Sequence, residues 1–158
     1  ANRPRPVNIS CRMGTAYQRN TVAFQRKQLL THLSHLLSSR KLKRGAYFTE
    51  LKQSRAVISP FGLGEITLKD FEVFLSGALL VKPDMDHIET WPDLYENGKT
   101  ILSFAWDFND INLLIENIEN NPKNIREIAE RGQRKYLKYI GSQESGELFY
   151  KHFAQIIA

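Results

Sequence analysis

Residues 56–82 constrain the fold more tightly than any other part of the chain. The β-branched run Ala56-Val57-Ile58-Ser59 ends in Pro60-Phe61-Gly62-Leu63-Gly64-Glu65, where proline and the glycine pair close a strand. Residues 67–76 then read as a helix: Phe71, Phe74 and Leu75 make its buried stripe. Thr67 with Asp70 has the form of a capping box, and Gly77 suits the left-handed position after the last turn. A second strand, at 78–82, is apolar until Lys82, as expected where both faces of a sheet are covered.

The flanking sequence extends this pattern. Residues 7–11 read as a short buried strand opening into Arg12-Met13-Gly14-Thr15, and residues 100–104 as a further strand. Residues 21–37 carry Val22, Leu29, Leu30, Leu33, Leu36 and Leu37, mostly at helical spacing, and a short helix is predicted over 47–53. Residues 110–120, 123–139 and 144–157 read as helices, with Pro122 and Gly141 as breaks. Strands alternating with amphipathic helices predict an α/β domain with a mainly parallel sheet. A full doubly wound domain would carry another strand between residues 7 and 56, and none is legible. Either the sheet is small or residues of a longer parent protein are missing there.

A length of 158 residues suits one domain with a real core. A single cysteine, Cys11, excludes an internal disulfide and fits a reducing, cytoplasmic compartment. The opening Ala1-Asn2-Arg3-Pro4-Arg5-Pro6 lacks the apolar centre of a signal peptide, and the apolar run at 73–81 is too short to span a bilayer. A net charge of +5 favours a phosphate-bearing partner. Its densest cluster, Arg40-Lys41-Leu42-Lys43-Arg44, reads as a solvated linker. No aromatic residues interleave with it, as they often would on a single-strand-binding surface, so nucleic acid is not the expected partner.

The chemistry is expected at the carboxyl ends of the strands, where open parallel sheets bind ligands. Gly62 and Gly64, with Leu63 between them, let backbone approach a ligand, and the following helix offers free amides and its positive end to a diphosphate. Lys69 can add charge there, and Glu72 can accept hydrogen bonds from vicinal hydroxyls of a ribose or sugar.

The string from Ser59 to Val81 resembles the donor-site signature of the GT-B glycosyltransferases. It is most similar to the bacterial spore-maturation-type branch of the group 1 enzymes. Lys82-Pro83-Asp84-Met85-Asp86-His87-Ile88-Glu89-Thr90-Trp91-Pro92-Asp93 continues the likeness, as do Trp106-Asp107-Phe108 and the helix through Ile128, Ala129 and Gly132. The resemblance implies a Rossmann-like donor-binding domain, the C-terminal half of a two-domain enzyme. It implies a nucleotide-diphosphate sugar as co-substrate, a glycan, lipid or protein acceptor, an N-terminal acceptor domain as partner, and no metal or other cofactor. Carried onto this chain, it places Gly62, Leu63 and Gly64 against the donor and Glu72 on the ribose hydroxyls. By the same resemblance Arg12 and Gly14 fall at donor-facing positions and Glu65 is a catalytic candidate; His87, in the loop after the second strand and so facing the crevice, is the other. The common family pattern separates two glutamates by seven residues, whereas six lie between Glu65 and Glu72. Glu72 keeps its register and Gly64 occupies the place of the first glutamate, so neither retention nor inversion is assigned.

Other local signals compete. Asp84-Met85-Asp86 has the form of a metal-binding Asp-x-Asp. His87 with Glu89 can act as an acid–base pair or be a loop histidine bonded to backbone, and His32 and His35 read as surface residues. Trp106 is expected to pack, while Trp91 can pack or stack on a base or sugar. A non-catalytic relative binding a glycan or protein in the same crevice is the first alternative, and a basic nucleic-acid-binding domain the second.

Overall fold

The computed structural model describes residues 4–157; Ala1 to Arg3, which open the segment read as lacking a signal peptide, lie outside them. Four strands, β1 (Val7–Ser10), β2 (Ser54–Ile58), β3 (Leu79–Pro83) and β4 (Leu102–Phe104), form one parallel sheet in the order β1-β2-β3-β4. The helices are α1 (Asn20–Leu33), α2 (Arg44–Gln53), α3 (Leu68–Ser76), α4 (Ile111–Asn120), α5 (Pro122–Ile140) and α6 (Ser145–Ile157).

The apolar runs of β2 and β3 are continuous because helices cover both faces. Ala56, Ile58, Leu79 and Val81 face one core, with Leu29 and Leu33 of α1, the Ile111–Ile115–Ile118 stripe of α4, and Ile125 and Ile128 of α5. Val57 and Leu80 face the other, with Leu51 of α2, Val73 and Phe74 of α3, and Tyr136 of α5. Burying Val73 and Phe74 contributes roughly 1.5–3 kcal/mol each, which anchors the helix that follows the glycine loop.

Most expected boundaries shift by a few residues. α1 ends at Leu33 rather than at 37, and Leu37, reached through a turn, still packs against the core. α2 begins at Arg44, so the end of the basic run is helical. Between β1 and β2 the described chain forms α1 and α2 and no strand; Ile9 pairs directly with Ala56. The sheet is small. Thr67 caps α3 in the expected box with Asp70, and Gly77 takes the left-handed conformation at φ 71°. Trp91 packs: its ring stacks on His152 of α6 at 4.4 Å and 6°. No helix among the described residues is long and apolar enough to cross a membrane.

Candidate functional site

The loops after β1 and β2, together with the start of α3, enclose a cleft of about 570 Å³ at the carboxyl ends of the strands. The glycine loop that forms its wall is pinned from beneath. Asp70 is fully buried and accepts from Ser59 Oγ at 2.6 Å, from the Thr67 amide at 2.9 Å and from Thr67 Oγ1 at 2.9 Å. Lys82, also fully buried, meets Asp70 at 2.9 Å and donates to the Glu65 carbonyl at 2.8 Å. Burial lowers the Lys82 pKa and the Asp70 carboxylate opposes that shift. This ion pair ties the end of β2, the loop and the cap of α3 to β3. The sequence shows Lys82 only as the end of an apolar run.

Cations dominate the cleft. Arg12, Arg26, Lys41 and Lys69 line it, against a single lining carboxylate, Glu72. Lys69 donates to the Arg12 carbonyl, and burial pulls its pKa down to about 8. Glu72 Oε2 accepts from the Tyr47 hydroxyl at 2.9 Å; burial first, and then this bond, push the tyrosine pKa up. Gly62 donates to the Gly64 carbonyl at 2.9 Å, closing a tight loop, and a Cβ on Gly64 would meet nothing within 4 Å. Gly64 and the exposed Leu63 therefore present an open rim.

The expected donor residues Arg12, Gly14, Gly62, Leu63, Gly64, Lys69 and Glu72 all come together in this cleft. Arg12 does so with its guanidinium already held: two bonds to Glu50, at 2.8 and 2.7 Å, and two more to Ser38 and the Arg40 carbonyl. The bond to Arg12 holds the Glu50 carboxyl below its usual range. The two catalytic candidates do not line the cleft. Glu65 Oε1 and His87 Nε2 lie 3.9 Å apart beside it, so the carboxylate facing His87 is Glu65 rather than Glu89. Trp106 packs only in part: it lies edge-on with Phe61 at 5.6 Å and with His87 at 5.0 Å, but 53% of it stays exposed.

Several readings change. Lys41 and Leu42 of the basic run line the cleft, and Lys41 lies over Gly14, so this part is not merely a solvated linker. His32 is half-buried against Phe108 at 5.4 Å rather than a free surface residue, while His35 is exposed. Asp84 Oδ1 accepts from the Asp86 amide at 3.0 Å, and among the described residues no group of three or more His, Cys, Asp or Glu side chains is placed to hold a metal. Arg26 was missed altogether. It is buried, donates to the carbonyls of Phe61 at 2.9 Å and Gly14 at 3.2 Å, and stacks over Tyr17 at 4.6 Å. Burial lowers its pKa. Its signal was present: an arginine on the Val22, Leu29, Leu33 stripe needs a polar partner where that stripe is buried.

A protein-family model described as Glycosyl transferase-like matches residues 10–144, from the end of β1 to the turn before α6. A comparison with curated proteins finds no match.

Proposed function

The chain belongs to this glycosyl transferase-like family, and from that premise we propose that it binds the donor of a sugar transfer, a nucleotide-diphosphate sugar. The observation that carries this proposal is the cleft in which four cationic side chains surround a glycine loop and a helix N-terminus, with one carboxylate on its wall. A diphosphate lies against Gly62 and Gly64 and takes charge from Lys69, Lys41 and Arg26. Arg12, its charge largely offset by the bidentate Glu50 carboxylate, shapes the wall rather than charging it. Glu72, oriented by Tyr47, accepts from the ribose hydroxyls. These cations stabilise the charge that develops on the departing diphosphate, the service a metal would otherwise give.

In this proposal Glu65 and His87 stand beside the transferred sugar, where either can take or give a proton. The acceptor, a glycan, lipid or protein, is held mainly by an N-terminal domain of a GT-B enzyme, so the chain by itself binds the donor and turns over little. Glu72→Ala is the direct test, by calorimetry against UDP, GDP and ADP sugars. Losing hydrogen bonds to a charged acceptor should weaken the bound nucleotide by about 10- to 100-fold, with an unchanged circular dichroism spectrum. Equal affinity in the variant would sink the role given to Glu72.

A further inference from the structure

Trp106 leaves 53% of its surface in water, yet one hydrogen bond and two ring contacts hold it. Its indole N–H donates to the Asp84 carbonyl at 3.0 Å, and the His87 and Phe61 rings brace it at 83° and 81°. With its one polar group satisfied, the exposed remainder is a fixed apolar surface. His87 and Glu65 stand next to it, both side chains open to solvent. Phe61 joins this corner to the cleft: its carbonyl accepts from Arg26, and its ring packs against Trp106 and His87. An apolar ring flanked by a carboxylate and an imidazole matches a sugar, whose C–H face is apolar and whose rim is hydroxyl. A second anionic group would be opposed by Glu65.

We propose that Trp106, His87 and Glu65 form a subsite for a pyranose ring, with the ring face on the indole and its hydroxyls bonded to the two polar side chains. This rests on the assignment of a nucleoside diphosphate to the adjoining cleft. The ring can belong to the donor or to the acceptor.

Calorimetry with UDP, GDP and ADP and with their hexose esters, on the unaltered chain, W106A and W106F, tests it. In parallel the indole N–H resonance, assigned by its loss in W106F, is titrated with methyl glycosides of glucose, galactose and mannose. For a donor ring, W106A weakens the hexose ester by about tenfold and leaves the bare diphosphate within about twofold, with W106F between. For an acceptor ring, a methyl glycoside shifts the indole resonance saturably while hexose-ester affinity is unchanged in W106A. Equal losses for diphosphate and ester would overturn the subsite, because Trp106 would then only brace the loop. Unchanged affinities with a static indole resonance would overturn it as well. Should no diphosphate bind at all, the donor assignment fails, and the glycoside titration decides the subsite alone: a saturable shift keeps it and a static resonance removes it.

Discussion

Lys69 lies at the start of α3, its ammonium donating to the Arg12 carbonyl, and burial brings its pKa from 10.5 down to about 8. Below that value the side chain is charged and adds to the field on a diphosphate; above it the charge is lost. Binding an anion favours the charged form, so affinity for UDP, GDP or ADP should fall as pH rises from about 7 to 9, with proton uptake on binding toward the alkaline end. Calorimetry in buffers of different ionisation enthalpy reads that uptake directly, and Lys69→Met should remove most of it. The sign for the empty protein is opposite. The unfolded chain holds this proton up to a higher pH, so the Lys69 contribution to stability rises with pH between the two pKa values. Gly62, Gly64, Lys69 and Glu72 were legible as a site because they lie within one loop and the helix that follows it. Arg26 and Lys41 come from other elements, and only tertiary packing brings them to the same cleft.

Between elements, the decisive contact joins α3 to β3 through Asp70 and Lys82, both wholly buried. Removing one member of such a pair leaves a charge without water or partner, and typically costs about 3–5 kcal/mol, whereas replacing both together often costs little. Lys82→Met should therefore destabilise by about that amount. Adding Asp70→Asn should recover part of it: asparagine has nearly the same shape and its carbonyl oxygen can still accept from the Ser59 and Thr67 hydroxyls, while its amide group gives up the bond to the Thr67 N–H. Urea unfolding of the two single variants and the double one closes the cycle; additive losses would mean that the pair is not coupled. Amide exchange at residues 62–66 should also quicken in Lys82→Met, because Nζ no longer holds the Glu65 carbonyl. The helix and both strands were predictable from cap and turn residues, although the period misplaced part of the buried stripe: Leu75 is exposed and Val73 is buried in its stead. The ion pair was not, because Lys82 at the end of an apolar run has the same pattern whether it reaches solvent or a buried carboxylate. Asp70 showed its capping role locally, while its second role depends on a strand that follows the helix.

Across the whole molecule, α5 is the only element among the described residues, apart from the strands, that enters both cores: Ile125, Ile128 and Ala129 on one side, Tyr136 on the other. It crosses between them at Gly132. A Cβ there would lie 2.5 Å from the Thr100 carbonyl oxygen and 3.0 Å from the Phe74 ring. Period and length predicted this helix, and the parallel sheet followed from alternating strands and helices. Its bridging of two cores follows from a crossing that no local pattern records. Alanine would add about 1 kcal/mol of helix propensity over glycine. Against that, a backbone oxygen cannot rotate away as a flexible side chain can, so the helix must shift and both cores must repack, which costs about 1–3 kcal/mol or more. The clash should win, since a backbone oxygen at 2.5 Å puts the cost toward the upper end of that range, and Gly132→Ala should lower stability by about 2 kcal/mol net. Because α5 links the two cores, the variant should still unfold in a single step, with far-ultraviolet dichroism and tryptophan fluorescence giving coincident urea transitions. Separate transitions would show that the cores are independent and that α5 does not couple them.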